Sequence, residues 1–371
     1  MNAVQIQPRS SNDRKQYLQV PFRIAAAHPE MTLPPRSFTA ADFSASHPFY
    51  EHSEATFFIT ENNGAANGRI AVLNNRNFNR FHDSRTAFFT HFECEDQPDT
   101  ANALFDAAST WAKSRGLDSM VGPVGFLQTD PRGLRIRGQD QTASFSLPVH
   151  PAYYRSLLEE NGFEKHSDYI AGEMTDTFRI NHRTAQLAER VRSKTDLRPR
   201  RTTTRRQLIE LAPRLFEIYE KSGADAPMYY PMTDAERTCI KNQFTKIAHP
   251  RLIHLLEQPD GTIGGIMMAL PNYAEVLQQH RGRLSRLAAA CRQKHRPETV
   301  NLTTFYLHPA FQGRGLNLLL YSAFEEEALK LGCRKVLFGP VREGNSRQRS
   351  ILEKMGIRQT ICHRIYQRGI S

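Results

Sequence analysis

One segment of this chain carries more structural information than any other, and it reads Leu307-His308-Pro309-Ala310-Phe311-Gln312-Gly313-Arg314-Gly315-Leu316-Asn317. It lies between a predicted strand at 299–307 and an apolar helix predicted at 316–331. A glycine-rich loop at the start of a helix presents backbone N–H groups that the helix cannot satisfy, and these groups bind phosphate oxygens. Glycine also serves such corners for purely structural reasons, so the surrounding sequence must decide between the two.

The order of predicted elements around this loop occurs twice in the chain. In the second half, strands at 251–256, 262–270 and 299–307 precede the helix, and the next strand ends in Gly339-Pro340-Val341. In the first half, strands at 55–60, 68–74 and 86–94 precede a helix at 99–115, and the next strand ends in Gly122-Pro123-Val124. Each half closes with a helix and a glycine. The repetition predicts two tandem units of the α/β (α+β) class, with mixed central sheets flanked by helices.

Length and composition agree with two globular units. The chain has 371 residues, of which 39% are hydrophobic, and it contains 22 Phe and 12 Tyr, enough to build two cores. Its 49 Lys and Arg exceed its 38 Asp and Glu, for a net charge of +11. An anionic partner is therefore expected: a nucleic acid, an anionic membrane surface or a phosphate-rich cofactor.

The positive charge is densest between Arg190 and Arg206. Pro199 and the β-branched run Thr202–Thr204 disfavour a continuous helix there, and a helical pattern starts at Gln207. We predict a first domain at 1–178, a basic linker at 179–205 and a second domain at 206–371.

Other features exclude several classes of protein. There is no apolar run of the roughly 18 residues that a membrane-spanning helix needs, and the polar N-terminus does not read as a secretory signal. The five cysteines are scattered and without a CxxC pair, which argues against disulfides and against a zinc site. We expect a cytoplasmic protein that binds no metal.

The second half resembles the GCN5-related N-acetyltransferase (GNAT) superfamily. The resemblance rests on Gln312-x-x-Gly315 after a strand, followed by a helix, a strand, Asn345 and a helix that ends in Lys354-Met355-Gly356-Ile357. It implies that the pyrophosphate of acetyl-CoA or acyl-CoA is held by Gln312, Gly313, Arg314, Gly315, Leu316 and Asn317. It also implies that Leu307 lies beside the thioester and that Asn345 contacts the pantetheine arm. Asn317 departs from the family's usual Gly or Ala.

The residues that would transfer protons are harder to assign. The tyrosine that often protonates the leaving thiolate in this family falls where the chain has Leu352. Tyr306 and Tyr366 are possible substitutes, although both also fit strand packing. His308 is a candidate base because imidazole titrates near neutral pH, although a solvated loop histidine is the more common explanation.

The first half lacks the phosphate loop. Its corresponding segment, Phe92 to Asp99, has no glycine and contains four acids, so we expect no coenzyme A there. Several stretches of this half resemble a group of bacterial tandem acyltransferase-like proteins that includes bacterial ceramide synthases: 47–55, 68–71, 92–96 and 151–154. The resemblance implies transfer of an acyl group to a sphingoid-type lipid amine.

A basic amphipathic segment at 273–296 also bears on the acceptor. Its apolar side and its arginines suit peripheral contact with the anionic inner membrane surface, although an ordinary surface helix has the same pattern. Our main hypothesis is an acyl-CoA-dependent N-acyltransferase acting on a small-molecule or lipid amine. The alternatives are an aminoacyl-tRNA-dependent transferase and a non-catalytic protein that binds coenzyme A or nucleic acid. The intact phosphate loop makes a nucleic-acid partner the weaker expectation.

Overall fold

The computed structural model describes residues 2–33, 35–175, 182–223, 226–279, 290, 292–354 and 357–370. Its helices are α1 (Ser11–Ala27), α2 (Arg36–Ala41), α3 (Arg76–His82), α4 (Pro98–Lys113), α5 (Tyr154–Glu160), α6 (His182–Arg192), α7 (Arg205–Gly223), α8 (Asp234–Ile247), α9 (Ala274–Gln279), α10 (Asn317–Leu331) and α11 (Ser346–Lys354). Its strands are β1 (Ala3–Gln5), β2 (Glu54–Asn62), β3 (Ala65–Asn74), β4 (Thr86–Cys94), β5 (Ser119–Gly122), β6 (Leu134–Arg137), β7 (Glu164–Met174), β8 (Arg198–Arg201), β9 (Ile253–Glu257), β10 (Ile263–Pro271), β11 (Thr299–Leu307), β12 (Lys335–Arg342) and β13 (Arg358–Gly369).

The strands form one mixed sheet in the order β1-β2-β3-β4-β5-β13-β7-β12-β11-β10-β9-β8, with β6 paired to β13. Two pairs, β4 with β5 and β11 with β12, are parallel, and the other pairs are antiparallel. Helices α4 and α10 connect the members of these two parallel pairs, as the repeat in the sequence predicted. The predicted α/β (α+β) class is confirmed, but the two sheets are joined into one.

The closing strands of the two halves lie beside each other at the centre of this sheet. Strand β7, from the first half, pairs with β12 of the second half. Strand β13, from the end of the chain, pairs with β5 of the first half as well as with β7. Ile365 and Tyr366 of β13 are fully buried in the cores of the first half. Each half therefore supplies a strand that the other half needs.

Amphipathic periodicity explains how the connecting helices pack. On α4 the buried side chains recur every three or four residues, and they are Ala101, Leu104, Phe105, Ala108 and Ala112. On α10 the same spacing buries Leu320, Phe324, Ala328 and Leu331. This packing fixes the start of α10 at the end of β11, where the glycine-rich loop lies.

The predicted linker 179–205 contains all of α6 and all of β8, which pairs with β9 at the edge of the sheet. The domain limits themselves stay a prediction. Of the predicted amphipathic segment 273–296, α9 is helical, while 280–289 and 291 lie outside the described residues. Within the described part of the chain, no helix has the length and apolar character needed to span a bilayer.

Candidate functional site

The second half contains an opening between two parallel strands. Strands β11 and β12 pair only from Thr299 with Lys335 to Leu302 with Phe338. Past Leu302, β11 stays paired with β10 as far as Leu307, with a bulge near Met268, while β12 stays paired with β7. The strands separate at Gly339, which has φ of +107° and precedes a cis proline. The edge of β11 at 303–307 therefore lacks a strand partner on the β12 side and can pair with an extended ligand.

The glycine-rich loop lies at the mouth of this opening. The backbone N–H of His308 donates to the Gly264 carbonyl at 2.9 Å, and the Gln312 side chain donates to the Leu307 carbonyl at 2.9 Å. Gly313 and Gly315 have φ of +78° and +72°, a region that favours glycine. Among the described residues, no acceptor is found for the N–H groups of 313–317, and Leu316 provides no side-chain cap for α10. Five successive donors at a helix N-terminus can together hold an anion.

Helix α6 packs against the loop at Gly315. A Cβ added to Gly315 would lie 3.1 Å from the Val191 side chain of α6, so that side chain borders the loop closely. A Cβ at Gly264 would meet Leu197 at 2.8 Å and Phe311 of the loop at 3.0 Å. The segment after α6 therefore runs along the rim of the loop.

Two of the predicted catalytic residues lie near this opening. Tyr306 is half-buried against the cluster formed by α7, β9 and β10, and burial raises the pKa of its phenol. His308 is exposed, and its Nδ1 accepts a hydrogen bond from the Ala310 N–H at 3.3 Å, which caps a short 3₁₀ turn. Leu352, at the position of the family's tyrosine, is buried in the core under α10 and α11.

The third catalytic candidate, Tyr366, is not brought together with these residues. It lies opposite Gly122 on β13, with β7 and β12 between it and β11. Its side chain is fully buried, its hydroxyl donates to Glu159 at 3.3 Å, and burial raises its pKa to about 12. Because β13 crosses into the first half, Tyr366 serves that half's core.

Asn345 lies at the start of α11, where its side chain caps the helix. Its Oδ1 accepts from the Gln348 N–H at 3.1 Å, and its Nδ2 donates to the Gln348 side chain at 3.0 Å. One amide hydrogen remains available, because the amide group carries two.

The first half has the same strand opening without the anion site. Strand β4 pairs with β5 only from Thr86 to Phe88, and a cis peptide bond, Gly122-Pro123, follows. In its acidic loop, the N–H groups of residues 94, 95 and 97 all have acceptors: the Tyr154 hydroxyl and the carbonyl groups of Asn67 and Glu95. The expectation that coenzyme A does not bind here stays a prediction.

A buried polar cluster beside this first opening was not predicted from the sequence. His91 has φ of +53°, and its ring nitrogens lie 3.3 Å from the Asp42 carboxylate and 3.3 Å from the Tyr17 hydroxyl. Arg69 and Glu93 form a buried ion pair next to Tyr17. Burial raises the pKa of Asp42 to about 7 and lowers that of His91 to about 3. No local pattern marks this cluster, because its members come from α1, the end of α2, β3 and β4.

A small, mainly apolar pocket lies where the two halves meet. Its lining residues are Phe49, Leu73, Asn75, Phe78, Phe88, Val124, Gly125, Leu127, Gln128, Arg132, Met228 and Tyr230. Met228 and Tyr230 come from the segment between α7 and α8, and the rest come from the first half. The Gln128 side chain donates to the Tyr230 carbonyl, which joins the two walls. No group of three or more metal-ligating side chains is found in the described part of the chain.

Comparison with known proteins agrees with this geometry. Residues 215–357 match the acetyltransferase (GNAT) family. A bacterial ceramide synthase of Caulobacter vibrioides is 25% identical over 368 residues, covering 96% of this chain and 94% of that protein. Protein YghO of Escherichia coli is 22% identical over 371 residues, covering 97% of this chain and 94% of that protein.

Solved structures show the same fold over the whole chain. A tandem GNAT protein from the clavulanic acid biosynthesis pathway has a TM-score of 0.57 at 12% identity, covering 100% of this chain and 98% of that chain. A GCN5-related N-acetyltransferase from Sphaerobacter thermophilus has a TM-score of 0.53 at 14% identity, covering 99% of this chain and 95% of that chain. The predicted tandem fold and the predicted resemblance are confirmed.

Proposed function

We propose that this chain, a tandem GNAT-fold protein and an N-acyltransferase, takes an acyl group from a coenzyme A thioester at the loop of its second half and transfers it to an amine. The family's co-substrate is acetyl-CoA or acyl-CoA. The observation that carries the proposal is the row of five N–H groups without acceptors at 313–317, next to the free edge of β11. A pyrophosphate on the loop and a pantetheine arm along β11 would use both.

The binding residues follow from this placement. Gln312, Gly313, Arg314, Gly315, Leu316 and Asn317 are assigned to the pyrophosphate. Leu307, the last residue of the unpaired edge of β11, is assigned to the thioester. Asn345 is assigned to the pantetheine arm through its remaining amide hydrogen.

In the reaction the amine nitrogen attacks the thioester carbonyl, a C–N bond forms, and the C–S bond breaks as the tetrahedral intermediate collapses. The amine loses one proton, and the coenzyme A thiolate gains one. Holding the amine and the thioester close together in the right orientation supplies much of the rate acceleration. Tyr306 and His308, at the end of β11, are assigned to proton transfer, and Tyr366 is the weaker candidate because its hydroxyl is bonded to Glu159.

The proposed acceptor is a hydrophobic amine of the sphingoid type. The full-length similarity to a protein named bacterial ceramide synthase supports it. A lipid acceptor would also give a function to peripheral contact with an anionic membrane.

The first test is thermal stabilisation of the purified protein by acetyl-CoA and by palmitoyl-CoA, because a ligand that binds only the native state raises the melting temperature. We expect the long-chain thioester to stabilise more. No response to either thioester would refute the proposal and favour nucleic-acid binding.

The second test places the ligand. Gly315→Arg should abolish coenzyme A binding, because its Cβ would press on Val191 at 3.1 Å and a side chain at a φ of +72° is strained, so the loop must shift, whereas Gly369→Arg adds the same charge at an open position on β13 and should not. Arg314→Glu tests the same site at an exposed position, and we expect a loss of about tenfold or more in affinity. Unchanged affinity in a folded Gly315→Arg or Arg314→Glu protein would contradict the assignment.

A further inference from the structure

Most arginines of the basic segment after α6 have structural partners. Their ion pairs are Arg200 with Glu257 at 2.8 Å, Arg201 with the buried Glu327, and Arg206 with Glu210 at 2.8 Å. The Arg198 guanidinium donates to backbone carbonyl groups of its own segment, including that of Arg192 at 3.4 Å. The contacts of Arg198, Arg200 and Arg201 hold the edge strand β8 and the turn before it, and with Arg206 they engage four of the five arginines at 198–206.

Three cations at the end of α6 are not accounted for in this way. They are Arg190, Arg192 and Lys194, and all three are exposed or nearly so. Arg192 lies 3.3 Å from Glu189, but both side chains are about half exposed, at 49% and 68%. For the Arg190 and Lys194 side chains, the described residues provide no partner. A solvent-exposed ion pair such as Arg192 with Glu189 is weak, so the charges of Arg190, Arg192 and Lys194 are available to a ligand.

The three cations lie beside the phosphate loop. Val191, between Arg190 and Arg192, is the residue that approaches Gly315. The Lys194 N–H donates to the Val191 carbonyl at 3.0 Å, which places Lys194 one helical turn further on and on the same side. Val191 and Ala188 pack in the same core as α10, so the position of α6 on the loop is fixed by burial.

We propose that Arg190, Arg192 and Lys194 bind the 3′-phosphate of coenzyme A, while the loop holds the pyrophosphate. One ribose joins these two phosphate groups, so a ligand whose pyrophosphate fills the loop carries its 3′-phosphate close to the rim that α6 forms. The carbonyl end of α6 is itself electronegative, and the three cations reverse the sign of the potential there. The assignment rests on the proposed function, and α6 lies outside the residues 215–357 that match the GNAT family.

The test compares coenzyme A with 3′-dephospho-coenzyme A by isothermal titration calorimetry on the full chain. We expect the wild type to prefer coenzyme A by about tenfold, the combined effect of several exposed charge pairs. The double variant Arg192→Gln/Lys194→Gln should lose that preference and bind dephospho-coenzyme A as the wild type does. Arg206→Gln, which removes a charge of 88% exposure on α7, is the matched control and should keep the preference.

The outcomes separate this assignment from the proposed function. If the wild type binds both nucleotides equally, or if the double variant keeps the preference, the role of the α6 cations is refuted while coenzyme A binding stands. If the wild type binds neither nucleotide, the proposed function fails and this assignment fails with it. A double variant with the melting temperature of the wild type shows that any loss of preference is not a folding defect.

Discussion

Removing β13 from the first half tests whether the two halves can fold separately. The fragment 1–178 contains β1 to β7, yet in the full chain β13 lies between its β5 and its β7. Without β13 these two strands have no partner at the centre of the sheet. We expect this fragment to lack cooperative folding.

The size of the effect follows from the side chains that β13 buries. Ile361, Ile365 and Tyr366 are fully buried, and each such side chain contributes about 1.5–3 kcal/mol. Their loss amounts to about 5–9 kcal/mol, which is comparable to the whole free energy of unfolding of a typical domain. The unpaired edges of β5 and β7 add a risk of aggregation.

The assay uses three proteins: the fragment 1–178 alone, the same fragment joined through a flexible linker to 357–370, and that fusion with Ile365→Ser and Tyr366→Ser. Circular dichroism during heating should show a cooperative transition only for the unmodified fusion. The double substitution keeps the length and the strand but removes the burial, so it controls for the linker and the added residues. A fragment 1–178 that melts cooperatively by itself, within a few degrees of the fusion, would refute the reasoning.

Three further predictions follow from single positions. Burial, followed by the charge of Asp42, raises the pKa of Asp130 from 3.8 to about 7, so the wild type loses stability as pH rises through that window. Asp130→Asn should remove that loss, so at pH 7 its free energy of unfolding, measured by chemical denaturation, should gain up to about 4 kcal/mol relative to its gain at low pH. If the free energies of unfolding of the two proteins change with pH in parallel, the prediction is wrong. Gly172→Ala should destabilise the protein by about 1–3 kcal/mol because its Cβ would overlap the carbonyl oxygen of Arg358, whereas Gly369→Ala has open space and should be nearly neutral. Tyr306→Phe should lower kcat by about 100-fold with little change in the KM for acyl-CoA, and an unchanged kcat would remove Tyr306 from proton transfer.

The sequence predicted those elements whose signals are local. The predicted strand 299–307 and β11 have the same limits, because a run of residues that favour strands ends there and is followed by a proline and the glycine-rich loop. The predicted strands 55–60 and 68–74 correspond to β2 and β3, which meet at Asn63 and Gly64, and both residues have positive φ, as a tight hairpin turn requires. The glycine-rich loop is also predicted from residues that are adjacent in the sequence.

Which strands pair with each other in the sheet could not be predicted from local signals. The alternation of β13 suits pairing with β5, β7 or β12, and only the packing of the whole molecule selects the first two. Tyr366, named from the sequence as a possible proton donor, therefore lies beside β5 of the first half and not beside β11. Pro199 suggested a linker, but an edge strand tolerates proline, and β8 is the last strand of the sheet. The cluster of Asp42 and His91 depends on residues far apart in the chain.

The exchange of closing strands also constrains how such a gene can change. A truncation that removed the first half would also remove β7, and β12 would then lack its strand partner on that side. A truncation from the other end would take β13 away from β5. Neither copy can be lost, or replaced by the corresponding half of a distant relative, without a compensating change in the other copy. The absence of a glycine-rich loop at 92–99 therefore does not make the first half dispensable.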